Sequence, residues 1–277
     1  MLRMIDLLAA ANAPASQQGC FWGLIPCAGV GARAIAPGAP TPDLPKQYHP
    51  VAGHPLVLHT LAAFAGVQRL AGTLVAVAPN DQFLESYSSG STWWHVPCGG
   101  ATRADTVIGG LKALLERGAA KDDWVLVHDA ARCLVTAAQI DNLIAECEYD
   151  SVGGLLAHKL PDTLKSAVTG ANGVRVAATV DRSDKWLAQT PQMFRLGVLL
   201  DALTRMGAEA TDEASAMEAQ GYHPKLVPGG AQNFKVTYPD DFALAEAVLL
   251  QRGGGATLEM FQGRFGDSHS AGNRFFN

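Results

Sequence analysis

The chain has 277 residues, of which 48% are hydrophobic and 17% charged, a composition typical of a globular protein with a sizeable core. Its 21 basic and 26 acidic residues give a net charge of −5, so the chain as a whole does not attract nucleic acid or an acidic membrane surface. Five scattered cysteines form no C-x-x-C pair, which argues against a disulfide framework or a zinc site and favours a cytoplasmic setting.

The N-terminal segment, residues 1–20, is predicted to be a frayed extension of the folded domain or a short amphipathic helix. It begins apolar with one arginine, as signal peptides do, but Asp6 interrupts the apolar run and the run is short. No stretch of the sequence approaches the roughly 20 apolar residues that a membrane-spanning helix needs. We therefore expect no membrane partner.

From residue 21 onward, buried strands alternate with helices. Short apolar runs predict strands at 21–25, 73–78, 93–96, 124–127, 152–157, 192–194 and 234–237. Helical spacing predicts helices at about 55–65, 103–117, 137–147, 196–206 and 239–250. A further helix is expected after Thr211, which would serve as its N-cap. This alternation indicates an α/β fold with a mostly parallel sheet that helices cover on both faces.

Three segments do not follow the alternation. Residues 34–45 hold four prolines and are expected to form a loop. Residues 158–185 are rich in charge and predict a β-arm that leaves the sheet and packs on a partner subunit or remains a surface hairpin. Residues 252–277 show no clean period and predict a loosely ordered tail. The main domain is therefore expected at 21–251.

A turn of small residues follows the first strand. Gly29 and Gly31 allow the backbone to bend tightly and to present N–H groups to a ligand, and the cations Arg33 and Lys46 come next. The pattern indicates a phosphate-binding loop, although an ordinary turn can also hold two glycines. The turn lacks the third glycine of the dinucleotide-binding pattern G-x-G-x-x-G, which argues against a dinucleotide-binding dehydrogenase. The sequence also contains no Gly-Lys-Ser/Thr, so a Walker A loop is absent.

A second candidate position is Asp129, which follows the apolar run 124–127 almost directly. Its carboxylate could hold Mg²⁺, which takes one or two carboxylates together with phosphate oxygens and water, or it could cap a helix. Two alanines follow and leave room for a ligand, and Arg132 adds a cation. Because open α/β sheets bind ligands at the carboxyl ends of their strands, we expect these groups near the turn at Gly99 and Gly100.

Seven segments in one order carry a family resemblance. They are Pro26–Arg33, Pro45–Tyr48, Val127–Arg132, Asp162–Lys165, Gln189–Gln192, Thr211–Ser215 and Phe234–Thr237. Over about residues 21–251 the sequence resembles the 2-C-methyl-D-erythritol 4-phosphate cytidylyltransferases of the non-mevalonate isoprenoid pathway. The resemblance implies a Rossmann-like nucleotidyltransferase fold with a protruding β-arm, and a homodimer formed through that arm.

The resemblance also implies a reaction in which the phosphate of methylerythritol phosphate attacks the α-phosphate of CTP in the presence of Mg²⁺. It implies catalytic roles for four cations. Arg33 and Lys46 would act on the triphosphate, and Arg182 and Lys235 would act on the attacking phosphate. The implied nucleotide-binding residues are Ala28, Gly29, Gly100, Thr106 and Asp129, of which Asp129 would also lie near the metal. The implied substrate-binding residues are Arg132, Thr163, Thr190 and Thr211, with Thr163 and Arg182 acting on the neighbouring subunit's site.

Three features depart from the family pattern: the long loop 34–45, Ala101 where an acid is frequent, and Cys133 where proline is usual. Two alternatives remain, namely another nucleotidyltransferase of the same fold and a non-catalytic nucleotide-binding protein. The sequence retains Lys46, Asp129, Arg182 and Lys235 together, which argues against the non-catalytic alternative. Nucleotide binding alone would not require residues for both the triphosphate and the attacking phosphate.

Overall fold

The computed structural model describes residues 19–31, 44–87 and 92–253 of the chain. The strands are β1 (Phe21–Cys27), β2 (Pro50–Val51), β3 (His54–Pro55), β4 (Leu70–Val77), β5 (Trp93–Val96), β6 (Trp124–Val127), β7 (Gly153–Lys159), β8 (Leu164–Gly170), β9 (Gly173–Val180), β10 (Trp186–Arg195) and β11 (Lys225–Pro228). The α-helices are α1 (Leu56–Ala65), α2 (Arg103–Glu116), α3 (Ala137–Cys147), α4 (Leu196–Met206), α5 (Glu213–Glu218) and α6 (Pro239–Gln251).

The predicted N-terminal extension, proline-rich loop and C-terminal tail lie almost wholly outside the described residues, and they stay predictions. Arg252 is an exception in the tail segment, because its Nη1 donates a hydrogen bond of 2.8 Å to the carbonyl of Leu134. None of the helices in the described part of the chain is long and apolar enough to cross a membrane.

Seven strands form one sheet in the order β11-β7-β10-β6-β1-β4-β5. All neighbouring pairs are parallel except those of β10, which runs antiparallel to both β6 and β7. The mostly parallel sheet is confirmed. The carboxyl ends of β1, β4 and β6 therefore meet at one edge, where an open α/β sheet binds its ligands.

Both faces of the sheet are covered, as the alternation along β6 makes plain. Trp124 and Leu126 belong to a buried cluster that includes residues of α1 and α3, such as Leu61. Val125 and Val127 belong to a second cluster with residues of α2 and α4. Successive side chains of a strand point to opposite faces, so this central strand contributes to two separate layers of core.

Local sequence explains where the two helices nearest the sheet edge begin. The hydroxyl of Thr102 accepts a hydrogen bond from the N–H of Asp105, and the Asp105 carboxylate accepts one from the N–H of Thr102. Thr136 and Gln139 form the same reciprocal cap at the start of α3. Each box satisfies backbone donors that the first turn of a helix leaves without partners.

The predicted arm is present as an antiparallel hairpin of β8 and β9, with Leu164 opposite Val180. It pairs outside the seven-stranded sheet, and its apolar side chains face solvent, with Val174 70% and Val176 63% exposed. Its use in dimerisation stays a prediction.

The prediction of a strand at 234–237 is wrong. This segment has no regular secondary structure and pairs with no strand. The N–H of Val236 instead donates to the carbonyl of Ala131, in the loop after β6. The sheet instead gains β11, which pairs with β7 and was missed because only Val227 of its four residues is buried. Pro228 is tolerated there because the strand lies at the sheet edge.

Predicted boundaries also differ from the structure, most of all at β10, which begins at Trp186 rather than at residue 192. The first strand does not end before Pro26 but continues to Cys27. The Leu24 carbonyl points towards β6, where it accepts from the N–H of His128. Backbone groups alternate along a strand, so the backbone nitrogen of Pro26 also points towards β6. Residue pairing between β1 and β6 has ended by then, at Leu24 and Val127. The N-cap of α5 is Asp212 rather than Thr211, since the carboxylate of Asp212 accepts from the N–H of Ser215.

Cys133 occupies an apolar position in a third buried cluster, which joins the loop after β6 to α6. The side chain is 2% exposed, and burial raises the pKa of its thiol to about 12. A neutral thiol of this size packs as a small apolar group.

Candidate active site

A cavity of about 300 Å³ opens at the carboxyl ends of β1 and β6, beside the first turn of α2. Its wall brings together seven of the residues to which the family resemblance assigns a role in the site: Ala28, Gly29, Lys46, Gly100, Thr106, Asp129 and Lys235. These residues span about 200 positions of the chain, so only the parallel arrangement of the strands makes them neighbours.

The turn after β1 is shaped around Lys46. Gly31 has a φ of +71°, and a Cβ atom at this position would lie 2.4 Å from the Cβ of Lys46. Glycine is therefore required twice here, by the left-handed backbone and by the close approach of the lysine. The Lys46 ammonium group donates to the carbonyl of Val236, in the loop that also holds Lys235.

The short 3₁₀ turn Lys46–Tyr48 is anchored by the two residues that follow the lysine. Gln47 donates 2.9 Å to the carbonyl of Cys27 at the end of β1. The hydroxyl of Tyr48, 2% exposed, donates to Asp81 beyond β4. Burial and the nearby negative groups raise the pKa of the Tyr48 hydroxyl, so it remains a donor. These anchors fix the backbone from which Lys46 extends.

The opposite wall is a tight turn that allows the backbone to approach a ligand. A Cβ atom on Gly99 would lie 2.3 Å from the Cβ of Ala28, so the two turns can meet only with glycine here. The hydroxyl of Thr106 accepts from the N–H of Gly100 and donates to the carbonyl of Thr102. Thr106 is 3% exposed, and in this structure its hydroxyl shapes the turn.

Asp129 lies at the centre of the site and contacts three cations. Its Oδ1 is 3.1 Å from Nε of Arg103, and its Oδ2 is 3.4 Å from Nε of Arg132 and 3.0 Å from Nζ of Lys235. Burial alone would raise the pKa of the Asp129 carboxyl, but these three cations outweigh burial and hold the pKa well below its usual range. The carboxylate is therefore charged whenever the protein is folded near neutral pH.

A buried hydrogen-bond chain fixes the backbone of Asp129. The hydroxyl of Thr190 accepts from the N–H of Asp129 at 3.0 Å and lies 3.0 Å from Nδ1 of His128. Since Nε2 of His128 lies 3.2 Å from the carbonyl of Arg132, that nitrogen must carry the proton and Nδ1 must accept from Thr190. Burial lowers the pKa of His128 to about 3, which agrees with this neutral ring.

The roles of Thr190 and Arg132 in holding the fold are plain from their contacts. Thr190 is 3% exposed, and both hydrogen-bonding functions of its hydroxyl are used within the protein. Arg132 donates 2.8 Å to the carbonyl of Asn233 and contacts Asp129, so it ties the loop before Lys235 to the end of β6. Neither residue lines the cavity, and their contact with the attacking substrate stays a prediction.

Three other predicted residues that the structure describes are not brought to this cavity. Thr211 is exposed at the entry to α5, and Thr163 is exposed at the base of the arm. Arg182 is half-buried at the other arm base, where Nη1 lies 3.5 Å from the carbonyl of Leu160. Arg33 lies outside the described residues. The arrangement of Thr163 and Arg182 on the arm is compatible with action on another subunit, which stays a prediction.

Sequence reasoning missed Arg103 and Glu213. Arg103 lines the cavity and pairs with Asp129 and with Glu213, whose side chain is completely buried. A local signal existed for each, because Arg103 follows the Gly99-Gly100 turn closely and Glu213 lies inside the segment Thr211–Ser215. What the sequence could not give was their contact with each other across 110 positions.

The charges that line the cavity suit an anionic ligand. Among the described residues of its wall, Lys46, Arg103 and Lys235 face one acid, Asp129, although the net charge of the whole chain is negative. Among the described residues no group of three or more His, Cys, Asp or Glu could hold a metal without help. Mg²⁺ needs only one or two carboxylates beside phosphate oxygens and water, so Asp129 together with a bound polyphosphate fits that ion.

Comparison with known proteins gives one consistent family. The family model described as "IspD: 2-C-methyl-D-erythritol 4-phosphate cytidylyltransferase" matches residues 22–251. The chain is 62% identical over 235 residues to the "Bifunctional enzyme IspD/IspF" of Albidiferax ferrireducens, covering 84% of this chain and 54% of that protein. It is 50% identical over 231 residues to the 2-C-methyl-D-erythritol 4-phosphate cytidylyltransferase of Bordetella pertussis, covering 82% of this chain and 97% of that protein.

Solved structures agree with these sequence relatives. A crystal structure of 4-diphosphocytidyl-2C-methyl-D-erythritol synthase superimposes with a TM-score of 0.71 at 38% identity, covering 83% of this chain and 98% of that one. The 2-C-methyl-D-erythritol 4-phosphate cytidylyltransferase of Francisella tularensis gives a TM-score of 0.67 at 32% identity, covering 82% and 99%. Because the family model matches residues 22–251, which are most of this chain, the chain belongs to the 2-C-methyl-D-erythritol 4-phosphate cytidylyltransferase family.

Proposed function

We propose that this protein transfers CMP from CTP to 2-C-methyl-D-erythritol 4-phosphate and releases pyrophosphate. The observation that carries the proposal is the meeting of Lys46, Asp129 and Lys235 in one cavity of about 300 Å³ with walls of small residues. Relatives that align with 92–97% of their own length bear the name of this activity. The names and the cavity together favour this reaction over others on the same fold.

The walls of the cavity suit a cytidine nucleotide. Ala28, Gly29 and Gly100 supply backbone groups at short range, and their small side chains leave a narrow space. A pyrimidine fits such a space and a purine is crowded out. Ala101 also lines the cavity, so any contact that an acid would make with the nucleotide at this position is missing.

The reaction needs little acid–base chemistry, because the attacking phosphate is already anionic. One of its oxygens forms a bond to the α-phosphorus of CTP, and the bond from that phosphorus to the bridging oxygen of the β-phosphate breaks. Lys46 and Arg33 would hold the triphosphate and stabilise the charge that develops at the α-phosphorus, and Lys235 and Arg182 would position the attacking phosphate. Catalysis then rests on bringing two anions together and stabilising the transition state.

Asp129 is the residue that would hold a divalent cation, since among the described residues of the cavity wall it is the one carboxylate, and it is charged. Mg²⁺ would neutralise phosphate charge when bound. The chain itself holds Asp129 in place through Thr190, Arg103, Arg132 and Lys235, whichever divalent ion is used.

The second substrate site is proposed to include a neighbouring subunit. The arm β8–β9 exposes Val168, Val174 and Val176, and burying such a surface against a second copy would stabilise a homodimer. Thr163 and Arg182 at its base would then face the partner's cavity, whereas Arg132, Thr190 and Thr211 belong to the same subunit as Asp129. The negative net charge and five free thiols favour action in the cytoplasm, without nucleic acid or membrane as partner.

The experiment that tests this function measures pyrophosphate release from each of the four nucleoside triphosphates, with and without methylerythritol phosphate. Release that requires both CTP and this alcohol phosphate supports the proposal. Release with another triphosphate, or with a different sugar phosphate in place of the alcohol, would identify another nucleotidyltransferase. Nucleotide binding without any release would instead favour the non-catalytic alternative.

A further inference from the structure

Arg103 links the nucleotide side of the cavity to helix α5. Its Nη1 and Nη2 lie 2.7 and 3.0 Å from the two carboxylate oxygens of Glu213, and its Nε lies 3.1 Å from Oδ1 of Asp129. The guanidinium group therefore contacts two carboxylates at once, one of them bidentate. Because the guanidinium is planar and rigid, fixing two of its nitrogens also fixes the direction of the Nε–H bond.

Glu213 contributes to this contact without lining the cavity. Its side chain is 0% exposed, and it lies behind Arg103 as seen from the cavity. Burial alone would lower the pKa of Arg103, but Glu213 and Asp129 outweigh burial and raise it, so the guanidinium stays charged. The side chain of Glu213 thus contacts the cavity wall through Arg103.

Helix α5 is held firmly enough to orient this pair. Oε1 of Gln192 on β10 accepts 2.7 Å from the N–H of Ala214, and its Nε2 donates 2.9 Å to the carboxylate of Asp212. Two residues earlier on the same strand, Thr190 accepts from the N–H of Asp129. Side chains and backbone therefore form a closed ring that starts and ends at Asp129.

Stability alone does not account for such a pair. A buried ion pair costs desolvation, and its replacement by apolar residues of similar size is often neutral or stabilising. The pair does give Asp129 a fixed partner on Oδ1, while Arg132 and Lys235 both contact Oδ2. Without Glu213, the long Arg103 side chain would be free to turn into the cavity and release Oδ1.

We propose that Glu213 is a positioning residue, which acts through Arg103 to hold the Asp129 carboxylate in the orientation that nucleotidyl transfer requires. The inference rests on the proposed function. It assigns to an acid outside the cavity wall an effect on the rate of the chemical step rather than on nucleotide binding.

The test compares Glu213→Gln, Arg103→Leu and the double variant with the wild-type protein. Measurements are kcat for pyrophosphate release, equilibrium binding of CTP, and the midpoint of thermal unfolding. We expect Glu213→Gln to lower kcat by about 10- to 100-fold, as for other residues that orient a ligand-binding group, with a much smaller change in CTP binding. Because Glu213 acts through Arg103, the double variant should be no slower than Arg103→Leu alone.

A matched control is available in the pair Arg69 and Glu148, which lies away from the cavity. Glu148→Gln removes the same kind of interaction and should leave kcat unchanged. If Glu213→Gln does not fold, Arg103→Lys carries the test, because its side chain is 29% exposed and lysine keeps the charge but loses the planar contact. Arg103→Lys should then show the fall in kcat.

Two outcomes overturn the inference while leaving the proposed function intact. One is a folded Glu213→Gln or Arg103→Lys protein that keeps the wild-type kcat. The other comes from a second, fully apolar double variant, Arg103→Leu/Glu213→Leu: wild-type values of both kcat and thermal stability in this protein would make the pair purely structural. A wild-type protein that releases no pyrophosphate with any substrate would overturn the proposed function, and this inference with it.

Discussion

Nζ of Lys235 lies 3.0 Å from Oδ2 of Asp129, so an irregular loop and the end of a central strand are joined inside the cavity. Lys46 contacts the same loop through the carbonyl of Val236. The loop is thus tied on both sides to groups of the nucleotide half of the site. Its lysine is in reach of an anion bound next to Asp129.

The first prediction concerns Lys235. Lys235→Met should raise the KM for methylerythritol phosphate more than the KM for CTP, because the proposed role of its charge is to hold the attacking phosphate. Asp129 keeps both arginine partners in this variant, so the thermal midpoint should change little. Steady-state kinetics with each substrate varied provide the measurement, and Lys225→Met on the edge strand β11 is the control. A KM for methylerythritol phosphate equal to that of the wild type would contradict the role.

The second prediction concerns Lys46. Lys46→Ala should lower kcat by about 100- to 1000-fold, the effect of removing one preformed group that stabilises a developing charge. CTP binding, measured without turnover, should weaken much less. Lys112→Ala, an exposed lysine on α2, serves as the control for a lost charge. An unchanged kcat would remove Lys46 from the transition-state role.

The third prediction concerns Gly31. Gly31→Ala should lower kcat, because the added Cβ would meet the Cβ of Lys46 at 2.4 Å and must displace the lysine backbone. Gly118→Ala is a matched control with a φ of +99° and no atom within 4 Å of the added Cβ. Both substitutions carry a similar backbone strain of about 1 kcal/mol or more, so only the loss of kcat should distinguish them. Equal activity in the two variants would rule out this steric coupling.

The fourth prediction tests the arm. If Arg182 acts on the partner's cavity, inactive Arg182→Ala and Lys46→Ala proteins should regain activity when mixed, because one of the two sites in a heterodimer is intact. With free subunit exchange, an equal mixture should reach about a quarter of the wild-type activity. Arg175→Ala, a substitution of an exposed arginine on β9, is the control and should be active by itself. No recovery, with exchange verified by labelled subunits, would place Arg182 in its own subunit's site or outside any site.

The fifth prediction concerns pH. The unfolded His128 titrates near pH 6.5, whereas burial lowers its folded pKa to about 3. As the pH falls, the histidine is therefore protonated in the unfolded chain at a higher pH than in the folded protein. The contribution of His128 to the free energy of unfolding should be fully present above about pH 6.5 and should be lost as the pH drops towards about 3. In His128→Asn this contribution is absent, and urea unfolding at several pH values should show a weaker dependence. The same pH dependence in both proteins would mean that other groups cause it.

Much of the fold could be predicted from the sequence. The helices at Arg103 and Pro239 carry local signals, a glycine turn with a reciprocal cap in one case and a proline in the first turn in the other. The strand at Trp124 is a continuous apolar run, as a strand buried on both faces must be. The errors fell where local pattern and tertiary pairing differ, as at β11, which is mostly exposed, and at 234–237, which has strand composition without a strand neighbour.

The sequence by itself determined the α/β alternation, the glycine turn before Lys46, and the family, because these depend on short segments and their order. The tertiary structure decided that Lys46, Asp129 and Lys235 share one cavity, and it revealed the contact of Arg103 with Glu213. A pairing over 110 positions has no local signature, since the register and direction of the strands set the distance between the partners. The chemical type of each residue can be read from the sequence, whereas the residues that it contacts depend on the order and direction of the strands in the sheet.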